Sequence, residues 1–84
     1  MDSNIQHIVV KAIAEVFEKK DMDVPLNASL EHDLQMDSLK RMTLFILLED
    51  EFNRTMQPEE VTGIVTVQNI IDFINRKLKE SAPS

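Results

Sequence analysis

Apolar residues recur at three- and four-residue spacing in three stretches of this chain, and each stretch predicts a helix. In the first, Ile5, Ile8, Val9, Ala12, Ile13, Val16 and Phe17 form one stripe, which predicts a helix over about 3–19. Asp2 or Ser3 can cap its start, and Lys19 and Lys20 suit the negative end of its dipole. The last stretch runs from Thr66 or Val67 to about Lys79. Its stripe is Val67, Ile70, Ile71, Ile74 and Leu78, with Phe73 alongside, Thr66 as the expected cap, and Arg76, Lys77 and Lys79 near its carboxyl end.

The middle stretch, from Asp37 or Ser38 to about Asn53, has two apolar faces. At about 100° per residue, Leu44, Leu48 and Phe52 line one side with Phe45 at its edge, while Leu39, Met42 and Ile46 cluster nearly opposite. A helix in a small bundle buries only one broad face. The second stripe is therefore either covered by a loop or exposed for a partner. Asp37 is a good cap for this helix. A short fourth helix is expected at Gln57-Pro58-Glu59-Glu60-Val61: proline suits the first helical position, the glutamates suit the first turn, and Gly63 can end it.

Between the first two helices lies a long connection, Lys20 to about Met36. Pro25 breaks helical structure there, and Asn27, Ser29 and Asp33 are turn or cap residues. Loops this long are uncommon unless they are functional or packed by their own side chains. Val24, Leu26, Leu30 and Leu34 suggest that this one is pinned onto the core. The expected architecture is all-α: a four-helix bundle with three main helices, one short helix and a long first loop.

Length and composition narrow the rest. Eighty-four residues make one small domain, 1–84, folded over about 3–80 with 81–84 as a frayed tail. Nine Lys and Arg against fifteen Asp and Glu leave a net charge of −6. That disfavours nucleic acid or an anionic membrane as the main partner. There is no Cys, which excludes disulfides, thiolate chemistry and thiol-ligated metals, so the fold must rest on its apolar core. The single Gly, with no Trp or Tyr, favours helices over a turn-rich β-sandwich and rules out a glycine-rich phosphate loop. The longest apolar run, Leu44 to Leu48, is too short to cross a bilayer, and the amino end lacks the pattern of a secretory signal. A cytoplasmic monomer is the expectation.

Catalytic and metal signatures are weak. Asp21 and Asp23 resemble the opening of a calcium loop, but the third acid, the glycine and the closing glutamate are missing, so no metal is expected. His32, Asp33 and Ser38 fall close together, yet nothing at this spacing orients the imidazole and no nucleophile-elbow glycines exist. The chain is read as non-catalytic. What stands out is Leu34-Gln35-Met36-Asp37-Ser38-Leu39, where a long loop ends and a serine enters the first turn of a helix. Unpaired N–H groups and partial positive charge there tolerate an attached phosphate. The bland alternative is that Asp37-Ser38 is a cap and nothing more.

In that context the chain resembles the acyl carrier proteins over about residues 3–80. The matching stretches are Asn27-Ala28-Ser29-Leu30, Asp33-Leu34, Met36-Asp37-Ser38-Leu39, Leu48-Glu49-Asp50-Glu51-Phe52, Pro58-Glu59-Glu60, and Thr66 to Ile74. The resemblance implies that a phosphopantetheinyl transferase attaches 4′-phosphopantetheine from coenzyme A to Ser38. The protein would then carry acyl groups as thioesters to acyl-transferring and chain-elongating enzymes of fatty acid, lipid or polyketide synthesis. It further implies that Asp37 and Leu39 are read by the transferase, that Leu39, Met42 and Ile46 are docking contacts, and that space between helices shelters the acyl chain. The alternatives are an unprimed interaction module of the same fold, or a carrier for aminoacyl or nonribosomal peptide chemistry.

Two departures from the family pattern bear on partner choice. Many members have glycine where this chain has Gln35. The docking helix usually opens with acids, whereas here it opens Ser38-Leu39-Lys40-Arg41-Met42-Thr43. Cations near a helix start oppose its dipole. Lys40 or Arg41 could pair with the attached phosphate, or exclude partners with basic docking patches, or be ordinary solvated side chains.

Overall fold

A computed structural model describes residues 2–20 and 22–80, without the side chains of residues 2, 3 and 80. The caps expected at Asp2 or Ser3, the acid Asp21, and the tail 81–84 lie outside the described residues. Four helices are described: α1 (Asp2–Val16), α2 (Ser38–Phe52), α3 (Pro58–Val61) and α4 (Val67–Glu80). The all-α expectation holds, and α1 is the central packing partner, set against both α2 and α4.

The stripe of α1 goes inward, with Ile5, Val9, Ala12 and Ile13 buried. The helix ends at Val16, short of the expected position 19, because Glu18 turns into the left-handed region at φ +57°. There the Glu18 N–H donates to Glu15 O and the Lys19 N–H to Ala14 O, both at 2.9 Å. This is the paired closure of a Schellman turn. Lys19 and Lys20 consequently fall beyond the last turn instead of within it. At the far end of α2, Asn53 also takes a left-handed backbone at φ 54°, but there its own N–H and that of Arg54 (3.2 Å) both reach back to Glu49 O. Asparagine tolerates that backbone better than glutamate does.

The long loop is pinned as its apolar residues suggested. Val24, Ala28, Leu30 and Met36 are buried, and Leu26 and Leu34 are half-buried against the same core. It is also hydrogen-bonded to the segment that opens α4. Leu30 N–H donates to Val65 O (2.9 Å), while the first free donors of α4, Val67 and Gln68 N–H, reach Ala28 O (3.2 Å) and Leu26 O (2.8 Å). The loop therefore satisfies helix-end groups that would otherwise be orphaned. Thr66 is the cap of α4: its Oγ1 accepts from Asn69 N–H at 3.1 Å, and Asn69 Oδ1 accepts from Thr66 N–H at 3.0 Å. This reciprocal pair is a capping box with asparagine in place of glutamate.

The interior is apolar. Leu44 and Leu48 of α2 share one buried cluster with Val9 and Ile13 of α1 and Val67, Ile70 and Ile74 of α4, and no polar or charged side chain is fully buried among the described residues. Gly63 does not end α3 as expected. The helix stops at Val61, Gly63 has no positive φ, and a side chain added there would meet open space.

Candidate functional site

The site is built at the start of α2. Within the preceding loop, Ser29 and Asp33 bond reciprocally: Ser29 N–H donates to Asp33 Oδ2 at 2.7 Å and Asp33 N–H to Ser29 O at 3.0 Å, while His32 N–H donates to Ser29 Oγ at 3.1 Å. The chain then reverses through Gln35, which sits at φ +54°, and Met36 N–H returns to Leu30 O at 2.8 Å. That left-handed residue explains why glycine suits this position, since a Cβ is disfavoured there. The reversal buries Met36 and delivers Asp37 and Ser38 to the surface.

Asp37 is the expected N-cap. Its Oδ1 accepts from Lys40 N–H at 2.8 Å and its carbonyl from Arg41 N–H at 2.9 Å. Ser38 is exposed as the first residue of α2, and its hydroxyl takes no hydrogen bond among the described residues. The N–H groups of Ser38 and Leu39 remain open, as helix geometry requires at the first positions. Neither His32 nor Asp33 hydrogen-bonds to Ser38 among the described residues, and the Asp33 carboxylate accepts from Ser29 N–H within its own turn. No hydrogen-bonded nucleophile–base pair forms at Ser38 among the described residues.

The two faces of α2 separate as the periodicity implied. Leu44, Phe45 and Leu48 are buried and Phe52 is half-buried, while Leu39, Met42 and Ile46 are 72%, 62% and 60% exposed. The long loop does not cover the second stripe. The two cations behave differently from each other. Lys40 is half-buried, with its ammonium 5.9 Å from the Phe17 ring centre. Arg41 turns across the molecule: its Nη2 donates to Val61 O at 2.6 Å and to Ile64 O at 2.8 Å, and its guanidinium lies 5.8 Å from the Phe45 ring centre.

Ser38 stands on a rim between two depressions. On one side is a largely apolar groove of about 320 Å³ between α2 and α3, with Met42, Phe45 and Ile46 on one wall and Met56, Pro58 and Val61 on the other. On the other side is a more polar hollow formed by Glu31, Gln35, Met36 and Asp37. The resemblance implies space between helices, but the groove's second wall is not legible along the chain. Met56 and Val61 carry the only hint, as apolar residues in a segment with no stripe of its own.

These features fit a covalently attached arm: an exposed hydroxyl with no hydrogen-bond partner among the described residues, a helix start able to accept negative charge, and an apolar groove beginning beside it. A family model described as "Phosphopantetheine attachment site" matches residues 7–74. Among solved structures, the chain is similar to a Mycobacterium tuberculosis protein assigned as an acyl carrier protein. The TM-score is 0.79 at 26% identity, over 86% of this chain and 96% of that one.

Proposed function

This chain belongs to the phosphopantetheine-attachment family of carrier proteins, and we propose that Ser38 is its attachment residue and acyl groups are its cargo. The observation that supports this reading best is the exposed Ser38 hydroxyl at the mouth of an apolar groove. When bound, 4′-phosphopantetheine supplies a flexible arm ending in a thiol, on which an acyl group is held as a thioester. That would account for thiol chemistry in a protein without cysteine.

The chain's own residues would do the rest. Asp37 fixes the first turn of α2 and so holds the serine hydroxyl outward. The open N–H groups and the dipole at that end accommodate a phosphodiester's negative charge. Met42, Phe45, Ile46 and Met56 offer an aliphatic chain an apolar wall, at about 0.8 kcal/mol for each buried methylene. Leu39, Met42 and Ile46 form the exposed patch that faces any enzyme approaching Ser38, beginning with the phosphopantetheinyl transferase. With Arg41 turned inward, partner choice by charge rests on Lys40, and the first turn of α2 carries no acid. We place this carrier with a restricted set of partners in fatty acid, specialised lipid or polyketide synthesis, acting as a cytoplasmic monomer.

Intact mass after incubation with coenzyme A and a broad-specificity transferase tests the assignment. The wild type should gain one phosphopantetheine and Ser38→Ala none. No gain on either protein would favour an interaction module that is never primed, and gain on both would move the site elsewhere.

A further inference from the structure

Segment α3 is the least anchored of the four helices. Four residues are too few to hold a helix by themselves, and α3 packs closely against none of the other three. It is held by flanking apolar side chains, with Met56 and Ile64 buried and Val61 half-buried, and by three polar ties. Before its amino end, Glu49 accepts from Met56 N–H at 2.7 Å. On its outer side, Glu60 meets Lys77 of α4 at 3.0 Å. At its carboxyl end a single guanidinium nitrogen of Arg41 bridges the carbonyls of Val61 and Ile64.

The last tie is set apart by its place. Arg41 lies three residues after Ser38, nearly one turn along the same helix, and both line the groove. Val61, whose carbonyl it holds, belongs to the opposite wall. We infer that Arg41 is a positioning residue: it latches the carboxyl end of α3 to α2 and thereby sets the groove's width at the end where Ser38 stands. The inference rests on the reading that cargo attached at Ser38 enters this groove. It gives the cation at this position a structural task, which explains its tolerance in a first turn where positive charge is unfavourable. Removing the donors leaves Ile64 O without its partner and Val61 O with the Ile64 N–H alone at 3.2 Å, so that α3 is held through Glu49, Glu60, its apolar flanks and the Leu30–Val65 hydrogen bond that follows it.

The test uses Arg41→Met, which keeps most of the apolar stem and loses every donor, and Arg41→Lys, which keeps the charge without the planar fork. Amide hydrogen exchange of the unprimed proteins comes first. Exchange over residues 57–65 should quicken about tenfold in Arg41→Met, as expected for losing a charge-assisted hydrogen-bond pair, with Arg41→Lys in between. Exchange in α1 and α4 should stay within about twofold of wild type. Each protein is then primed with octanoyl-coenzyme A, and cleavage of its thioester by hydroxylamine is timed. Cleavage should be several-fold faster in Arg41→Met.

Unchanged exchange over 57–65 in Arg41→Met overturns the latch, and so does an equal rise in every helix, which marks only a general loss of stability. Local loosening without faster cleavage overturns the link to cargo. Failure of wild type to accept the octanoyl arm would sink the carrier reading, while the exchange data still judge the latch on the unprimed protein.

Discussion

Replacing Gln35 by glycine should make this protein more stable although it removes a whole side chain. Gln35 is exposed and sits at φ +54°, so nothing packed is lost and a disfavoured backbone state is relieved. For a residue with a Cβ, that state costs about 1–2 kcal/mol. Glycine returns about 0.5–1 kcal/mol of this through the extra entropy it loses on folding. At mid-range the balance is a gain of about 0.75 kcal/mol, which in a domain of this size raises Tm by about 3–6 °C. Urea unfolding followed by circular dichroism reads the gain as a later midpoint at unchanged slope. Two controls sharpen the result. Gln35→Ala keeps the Cβ and should gain nothing. Asn53→Gly, at φ 54° but starting from a residue that tolerates it, should gain less than Gln35→Gly. A loss of stability in Gln35→Gly, or an equal gain in Gln35→Ala, would refute the reasoning, because backbone strain would then not be what glycine relieves.

The two faces of α2 should respond in opposite ways. Leu48→Ala removes a fully buried side chain and should cost about 2–5 kcal/mol in denaturant unfolding. Leu39→Ala should leave stability within about 0.5 kcal/mol yet slow priming at Ser38, and an unchanged priming rate would remove Leu39 from the docking surface. Lys77 sets the acidity of Glu60: its hydrogen bond is the main cause holding that carboxyl below the ordinary glutamate range. The pair's contribution is therefore present above the unfolded-state value and is lost as pH falls through the lowered folded value. Carboxyl titration by NMR should show Glu60 moving back up in Lys77→Met, and an unmoved titration would show that some other contact is responsible.

Much of this architecture is legible along the chain because helices report themselves locally. The stripes of α1 and α4, the Asp37 and Thr66 caps, and the division of α2 into Leu44, Phe45 and Leu48 against Leu39, Met42 and Ile46 all follow from periodicity and capping over a few residues. The candidate serine was equally visible, since its position depends only on where a loop ends and a helix begins. Helix ends were less so: a stop at Val16 instead of position 19 turns on the backbone of Glu18, which side-chain pattern does not encode.

By itself, then, the chain's pattern determined four helices, an apolar core without disulfides, and a serine in the first turn of the second helix. Tertiary structure alone decided that the apolar stripe of α2 stays uncovered, that Met56 and Val61 complete a groove beside Ser38, and that Arg41 reaches carbonyls twenty and twenty-three residues later. The reason is range. A cap or a stripe is settled by neighbours three or four positions away, whereas a groove wall and a guanidinium's acceptors exist only once distant segments have packed together.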